Sequence, residues 1–196
     1  MLENTSIFVT QLFAEKLPVW AVYHDLTHTI ETVNACLEIG RGSDISEEDL
    51  EILCIASWFH DTGYLYTVDG HEEKSSEIAL NFLKENYYSS DRINTVVDCI
   101  LATKIDKIPR NLLESIICDS DLITLGKQEY FGKNDLLKFE IELRDGKKIS
   151  ELDWLKRSHH FLSFHKYFTE YAQINFNPQL EFNRMTLQKK IDEYSK

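Results

Sequence analysis

Apolar residues along this chain recur at three- and four-residue spacing and almost never alternate with polar ones, a pattern of amphipathic helices that each bury one face. Leu50, Leu53, Cys54 and Ser57 follow Ser46-Glu47-Glu48-Asp49, which predicts a helix with Ser46 as N-cap and Asp49 in the place of a capping-box acid. Ile78, Ala79, Phe82 and Leu83 mark a second helical face, and Ile93, Val96, Val97, Ile100 and Leu101 a third. The same spacing predicts helices at about 4–17, 110–125, 134–144, 151–172 and 179–194. Glycine and proline fall mostly in the short breaks between these segments, and Asp145-Gly146 and Asn177-Pro178 read as turns. The expectation is an all-α fold of about eight or nine helices, without internal repeat or low-complexity linker.

Composition narrows this picture. A chain of 196 residues with 7 Gly and 3 Pro is long enough to bury a sizeable core in one domain. We therefore expect a single domain over residues 1–196, with its motif core at about 20–130 and a helical C-terminal extension at 134–196. The 33 acidic against 21 basic residues give a net charge of −12, which disfavours a nucleic-acid polymer or an anionic membrane as partner. Cys36, Cys54, Cys99 and Cys118 never reach CxxC spacing, so neither a zinc ribbon nor a redox dithiol is expected, and each reads as a small buried hydrophobe. With no cationic leader before an apolar core and no apolar run of about 18 residues, the chain reads as cytoplasmic. Five of the seven histidines remain to be explained, because they lie in or beside patterned segments with acidic neighbours.

Three segments carry candidate chemistry. Tyr23-His24-Asp25-Leu26-Thr27-His28 sets two histidines four apart, which share a face if both are helical, as metal ligands or as ordinary surface residues. In Cys54–Tyr64 an apolar helix ends in the doublet His60-Asp61 before Gly63. The cost of desolvating an imidazole and a carboxylate there is offset if both bind a cation, although a hydrogen-bonded core histidine at a helix end fits too. In Ile116–Leu125 the carboxylates of Asp119 and Asp121 sit within an apolar stretch, where buried Asp is rare unless paired or metal-bound. An N-cap role for Asp119 or Ser120 is the other reading. Together the segments offer two imidazole nitrogens and two carboxylates. That donor set suits one divalent ion among Mn, Fe, Mg, Zn, Co or Ni, with coordination positions left open for water and substrate.

His28, His60-Asp61 and Asp121 match the ordered pattern His, His-Asp, Asp of the HD-domain superfamily of metal-dependent phosphohydrolases, which the chain resembles. Tyr23–Thr29 looks like the YHNxxHT motif of one bacterial subgroup, and Phe59–Tyr64, His71-Glu72-Glu73-Lys74-Ser75-Ser76 and Cys118–Leu122 look like the HDTG, HEExS and Asp motifs of the same subgroup. The resemblance implies an all-α HD-type helical bundle in which His28, His60, Asp61 and Asp121 hold the metal. The final ligand in related proteins is the Asp of a small-residue–Asp pair, here Ser120-Asp121, which leaves Asp119 as a supporting or capping group.

Two departures bear on mechanism. Members that hydrolyse guanosine tetraphosphate or act on deoxynucleoside monophosphates carry a Glu shortly after the doublet. Here Thr62-Gly63-Tyr64-Leu65 follows, with no acid before Asp69, which disfavours both substrates. Binuclear HD-GYP members add histidines after the doublet. His71 falls where one is expected, but Lys104 stands where another belongs, so one metal is expected and Lys104 is suited to a phosphate. The resemblance implies hydrolysis of a phosphoester or phosphoanhydride of a nucleotide or other small phosphorylated metabolite. Asp61 would accept the proton of the attacking water, while His71 and Lys104 offset phosphate charge and His24 contacts substrate. A nucleotide-sensing or interaction module that retains the pocket without turnover is the alternative, and a homodimer is compatible with either. In the C-terminal third, Phe161, Phe164, His165 and Phe168 form one face of the helix predicted at 151–172, an expected core stripe, with His159 and His160 at the surface.

Overall fold

The computed structural model describes residues 1–194, and among them every regular element is helical. The helices are α1 (Leu2–Lys16), α2 (Leu26–Gly42), α3 (Glu47–Phe59), α4 (His71–Glu85), α5 (Ser90–Ala102), α6 (Leu112–Asp121), α7 (Tyr130–Asp145), α8 (Glu151–Phe164) and α9 (Glu170–Tyr194). Single 3-10 turns cover Thr62–Leu65 and Ile123–Gly126. The chain is therefore all-α as its pattern predicts, consistent with the HD-type bundle that the resemblance implies. No described helix is long and apolar enough to cross a membrane. The chain divides into two compact units, one made of Met1–Pro18 and His24–Asp121, the other of Val19–Tyr23 and the chain from Leu122 onward.

The first unit is organised around α3, which packs against α1, α2, α4, α5 and α6. Ser46 caps it as expected, its hydroxyl accepting the Asp49 N–H at 3.1 Å and donating to the Asp49 carboxylate at 2.8 Å. From Leu50 onward it is buried nearly all round, through Ile52, Leu53, Cys54, Ile55, Ala56, Ser57 and Phe59. Each fully buried Leu, Ile or Phe contributes about 2 kcal/mol, so this burial anchors the C-terminal end of α3. There His60 occupies the C-cap position, and the Thr62 hydroxyl donates to the buried Phe59 carbonyl at 2.8 Å. All four cysteines are buried free thiols, and burial pushes Cys54 and Cys118 up to about 12, which makes them unreactive near neutrality.

The turn after His60 is docked on the start of α4. The Gly63 N–H donates to Ser75 Oγ at 2.8 Å, and a Cβ added at Gly63 would lie 1.9 Å from the His71 carbonyl oxygen. Only glycine permits that backbone approach, which fixes where α4 begins relative to the His60-Asp61 doublet.

The second unit differs from the pattern-based expectation in two places. The helix expected over 151–172 ends at Phe164, where His165 turns extended at ψ 139°. Burial of Tyr167, whose hydroxyl donates to the carbonyls of Leu122 and Ile123, takes the chain off the helical path, and Thr169 Oγ1 then caps α9 by accepting the Ala172 N–H. The expected aromatic stripe is broken accordingly, with Phe164 73% and Phe168 44% exposed. Conversely, Asn177-Pro178 is not a turn, because Pro178 lies inside α9. Packing on both sides of it holds the helix together: Phe176 lies against Gly126, where an added Cβ would meet it at 2.6 Å, and Asn183 Nδ2 donates to the carbonyls of Leu125 and Lys127 at 2.9 Å. Gly146, at φ +66°, does terminate α7 at the expected Asp145-Gly146 turn. His160 is exposed and His159 half-buried.

Candidate metal centre

Three helices of the first unit bring four side chains together. Asp25 caps α2, its carboxylate accepting the His28 N–H at 3.0 Å, and this places His28 in the first helical turn facing inward. His24 precedes the helix, so it does not share a helical face with His28. Its ring instead meets His28 edge-on at 5.8 Å and stacks on Tyr64 at 4.1 Å with planes 9° apart. The end of α3 presents His60 and Asp61, and the last turn of α6 presents Asp121. Asp119 and Ser120 lie in that same last turn, so neither starts a helix. Both are fully buried.

One ligand atom from each of His28, His60, Asp61 and Asp121 lies within 4.8 Å of all the others. His28 Nε2 stands 3.1 Å from Asp121 Oδ1 and 3.3 Å from Asp61 Oδ2, and His60 Nε2 stands 3.3 Å and 3.1 Å from the same two oxygens. The two Nε2 atoms are 3.4 Å apart. For ligand bonds of about 2.1 Å, neighbouring donors around one first-row ion are separated by roughly 3.0–3.4 Å. His60 Nδ1 donates to the Ser57 carbonyl at 2.7 Å, which leaves Nε2 as the ligating nitrogen in a neutral ring. Asp61 Oδ2 is buried against both imidazoles and makes no directed hydrogen bond among the described residues, a disposition that suits a cation and not a hydrogen-bonded carboxylate. The four residues thus fit a divalent ion of the kind that mixed nitrogen and carboxylate donors select.

Burial by itself would lower His28 and His60 and raise the two carboxylic acids. The charges and hydrogen bonds within the group outweigh it: Asp121 and Asp61 hold His28 up at about 9, and His60 is raised well above its ordinary range. The same contacts hold Asp61 and Asp121 well below the usual carboxylate range. The group is therefore self-neutralising when protons take the place of a metal.

Around this group, His71 opens α4 with Nδ1 donating to the Val68 carbonyl at 2.8 Å and Nε2 at 3.7 Å from Asp61 Oδ1 and 3.5 Å from Glu72 Oε1. Lys104 follows α5, where its ammonium pairs with Glu73. Two neighbours had no role in the sequence reading. Tyr64 lies between His24 and His71, 4.1 Å from each ring, and Glu72 turns its largely buried carboxylate toward His71. The Tyr64 stack and the Ser57 carbonyl have no sequence signal, since one depends on where α4 docks and the other is a backbone atom.

No curated protein and no solved structure gives a significant match to the chain. The HD domain matches residues 25–126, just over half its length, and that span contains all four clustered side chains. On that match, the chain belongs to the HD domain family, a superfamily of metal-dependent phosphohydrolases.

Proposed function

We propose that the protein is an HD phosphohydrolase that holds one divalent ion through His28, His60, Asp61 and Asp121 and cleaves a phosphoester or phosphoanhydride of a nucleotide or other small phosphorylated metabolite. The observation that carries this reading is the convergence on one point of four donors from three helices, three of them buried and Asp121 half-buried, with Asp61 Oδ2 making no directed hydrogen bond among the described residues. A bound ion supplies Lewis-acid polarisation of the phosphoryl group and activation of water. The chain's own residues supply the rest. Asp61 turns Oδ2 to the histidines and Oδ1 toward His71, which supports Oδ1 as the atom that would take the proton of the attacking water. His71 and Lys104 offset negative charge on the phosphate, Lys104 by exchanging Glu73 for it. His24 contacts the substrate, and Asp119, buried two residues before Asp121, supports that turn of α6. A net charge of −12 gives little long-range attraction for an anionic substrate, so affinity rests on the ion and these local groups.

The test is metal analysis of protein purified without chelator, followed by a screen of nucleotides and phosphomonoesters with Mn²⁺, Mg²⁺, Zn²⁺, Co²⁺, Ni²⁺ and Fe²⁺. Bound metal and released phosphate, both lost in Asp61→Ala, are expected. The reading fails if no ion co-purifies, Mn²⁺ does not stabilise the fold, and no compound is hydrolysed.

A further inference from the structure

Three aromatic rings stand in a row beside the four-donor group: His24, Tyr64 and His71. The outer two are already attached to that group, His24 through its edge-on contact with His28 and His71 through Nε2, 3.7 Å from Asp61 Oδ1. Tyr64 is the element common to both. Its ring lies parallel to His24 and against His71 at a 45° tilt, each at 4.1 Å between centroids. Its backbone is held as firmly, with the N–H donating to the Asp61 carbonyl at 3.0 Å and the preceding Gly63 abutting the His71 carbonyl. An imidazole turns freely about its outer torsion unless something sets its plane; for His71 the Nδ1 hydrogen bond to the Val68 carbonyl and the Tyr64 ring do so together, and for His24 the parallel Tyr64 ring contributes.

We infer that Tyr64 is a positioning residue whose ring holds the plane of His24 and, together with the Val68 carbonyl, that of His71, so that both face a phosphoryl group at the metal centre. The inference rests on the phosphohydrolase reading. It gives the Tyr after the His60-Asp61-Thr62-Gly63 run a task beyond packing, since Tyr64 stays partly exposed while its neighbours Gly63 and Leu65 are buried.

Binding of inorganic phosphate to Zn²⁺-loaded protein by calorimetry, with NMR of the histidine rings, tests it. In the wild type, NOEs from the Tyr64 ring to both His24 and His71 are expected in the Zn²⁺ form, and the absence of either overturns the inference. Tyr64→Leu is expected to bind Zn²⁺ like the wild type but phosphate about tenfold more weakly, as small displacements of positioning groups do, and Tyr64→Phe to restore phosphate binding. A merely structural role would lower Zn²⁺ affinity and melting temperature together, and that outcome overturns the inference, as does unchanged phosphate affinity in Tyr64→Leu. Should Tyr64→Leu not fold, the wild-type NOEs and Tyr64→Met decide. Wild-type protein that binds Zn²⁺ but no phosphate overturns the functional reading and this inference with it. Undisturbed phosphate binding in Tyr64→Leu overturns this inference alone.

Discussion

If His28, His60, Asp61 and Asp121 hold a metal ion, protons compete with it for the same atoms, and the competition has a sign and a size. Asp121 and Asp61 hold the His28 imidazolium up at about 9 against the 6.5 of an ordinary histidine, which corresponds to about 3 kcal/mol. Because the folded value is raised, that stability is complete below pH 6.5 and is lost as pH rises through about 9 in chelator-treated protein. His60 is raised in the same direction. A divalent ion requires both Nε2 lone pairs, so at pH 7.5 its binding expels about two protons, and each adds up to a tenfold gain in apparent affinity per pH unit over this range. Calorimetric titration of Mn²⁺ into EDTA-treated, desalted protein, in buffers of different ionisation enthalpy, counts the protons directly. The expected apparent dissociation constant falls by roughly ten- to a hundredfold between pH 6.5 and 7.5, with one to two protons released. Heats independent of buffer, together with an affinity indifferent to pH, would refute the assignment of His28 and His60 as ligands. In Asp121→Asn the imidazolium loses a counter-charge, so the proton count should fall with the metal affinity.

Other perturbations follow from single contacts. Gly63→Ala places a methyl 1.9 Å from the His71 carbonyl, which should cost about 3 kcal/mol or more in urea unfolding and displace His71 from Asp61. His165 is half-buried, its Nε2 has no hydrogen-bond partner among the described residues, and burial holds it down at about 4, so the folded protein resists its protonation. Stability is full above pH 6.5 and declines as pH falls through about 4. His165→Phe should flatten that decline by on the order of 2–3 kcal/mol, and parallel acid-unfolding curves for variant and wild type would contradict it. The Lys104–Glu73 pair is exposed and contributes little to stability, so Glu73→Ala should leave the melting temperature nearly unchanged while tightening inorganic phosphate binding to the metal-loaded protein. Lys104→Ala should weaken that binding, and equal affinities in the two variants would remove Lys104 from the phosphate site.

Helical periodicity alone determined that this chain is all-α, because a repeating three- and four-residue spacing buries one helical stripe whatever the neighbours are. The Ser46 cap and the Asp145-Gly146 stop were legible for a similar reason, since each is settled within a few residues. The order His28, His60-Asp61, Asp121 was legible as a set of donor types, and residues 25–126 match the family that carries it. Tertiary structure decided the rest. Whether α8 ran on to 172 depended on Tyr167 finding the Leu122 and Ile123 carbonyls, more than 40 residues away in the chain. Whether Pro178 ended a helix depended on Gly126 and Asn183 bracing α9 on either side of it. Likewise Tyr64 became a wall between two histidines only because Gly63 lets α4 dock against its turn. Local spacing records which face of an element is apolar and where it can be capped. It carries no record of the distance between atoms on different elements, and the candidate metal centre consists of separations of 3.1–3.4 Å among groups from three helices.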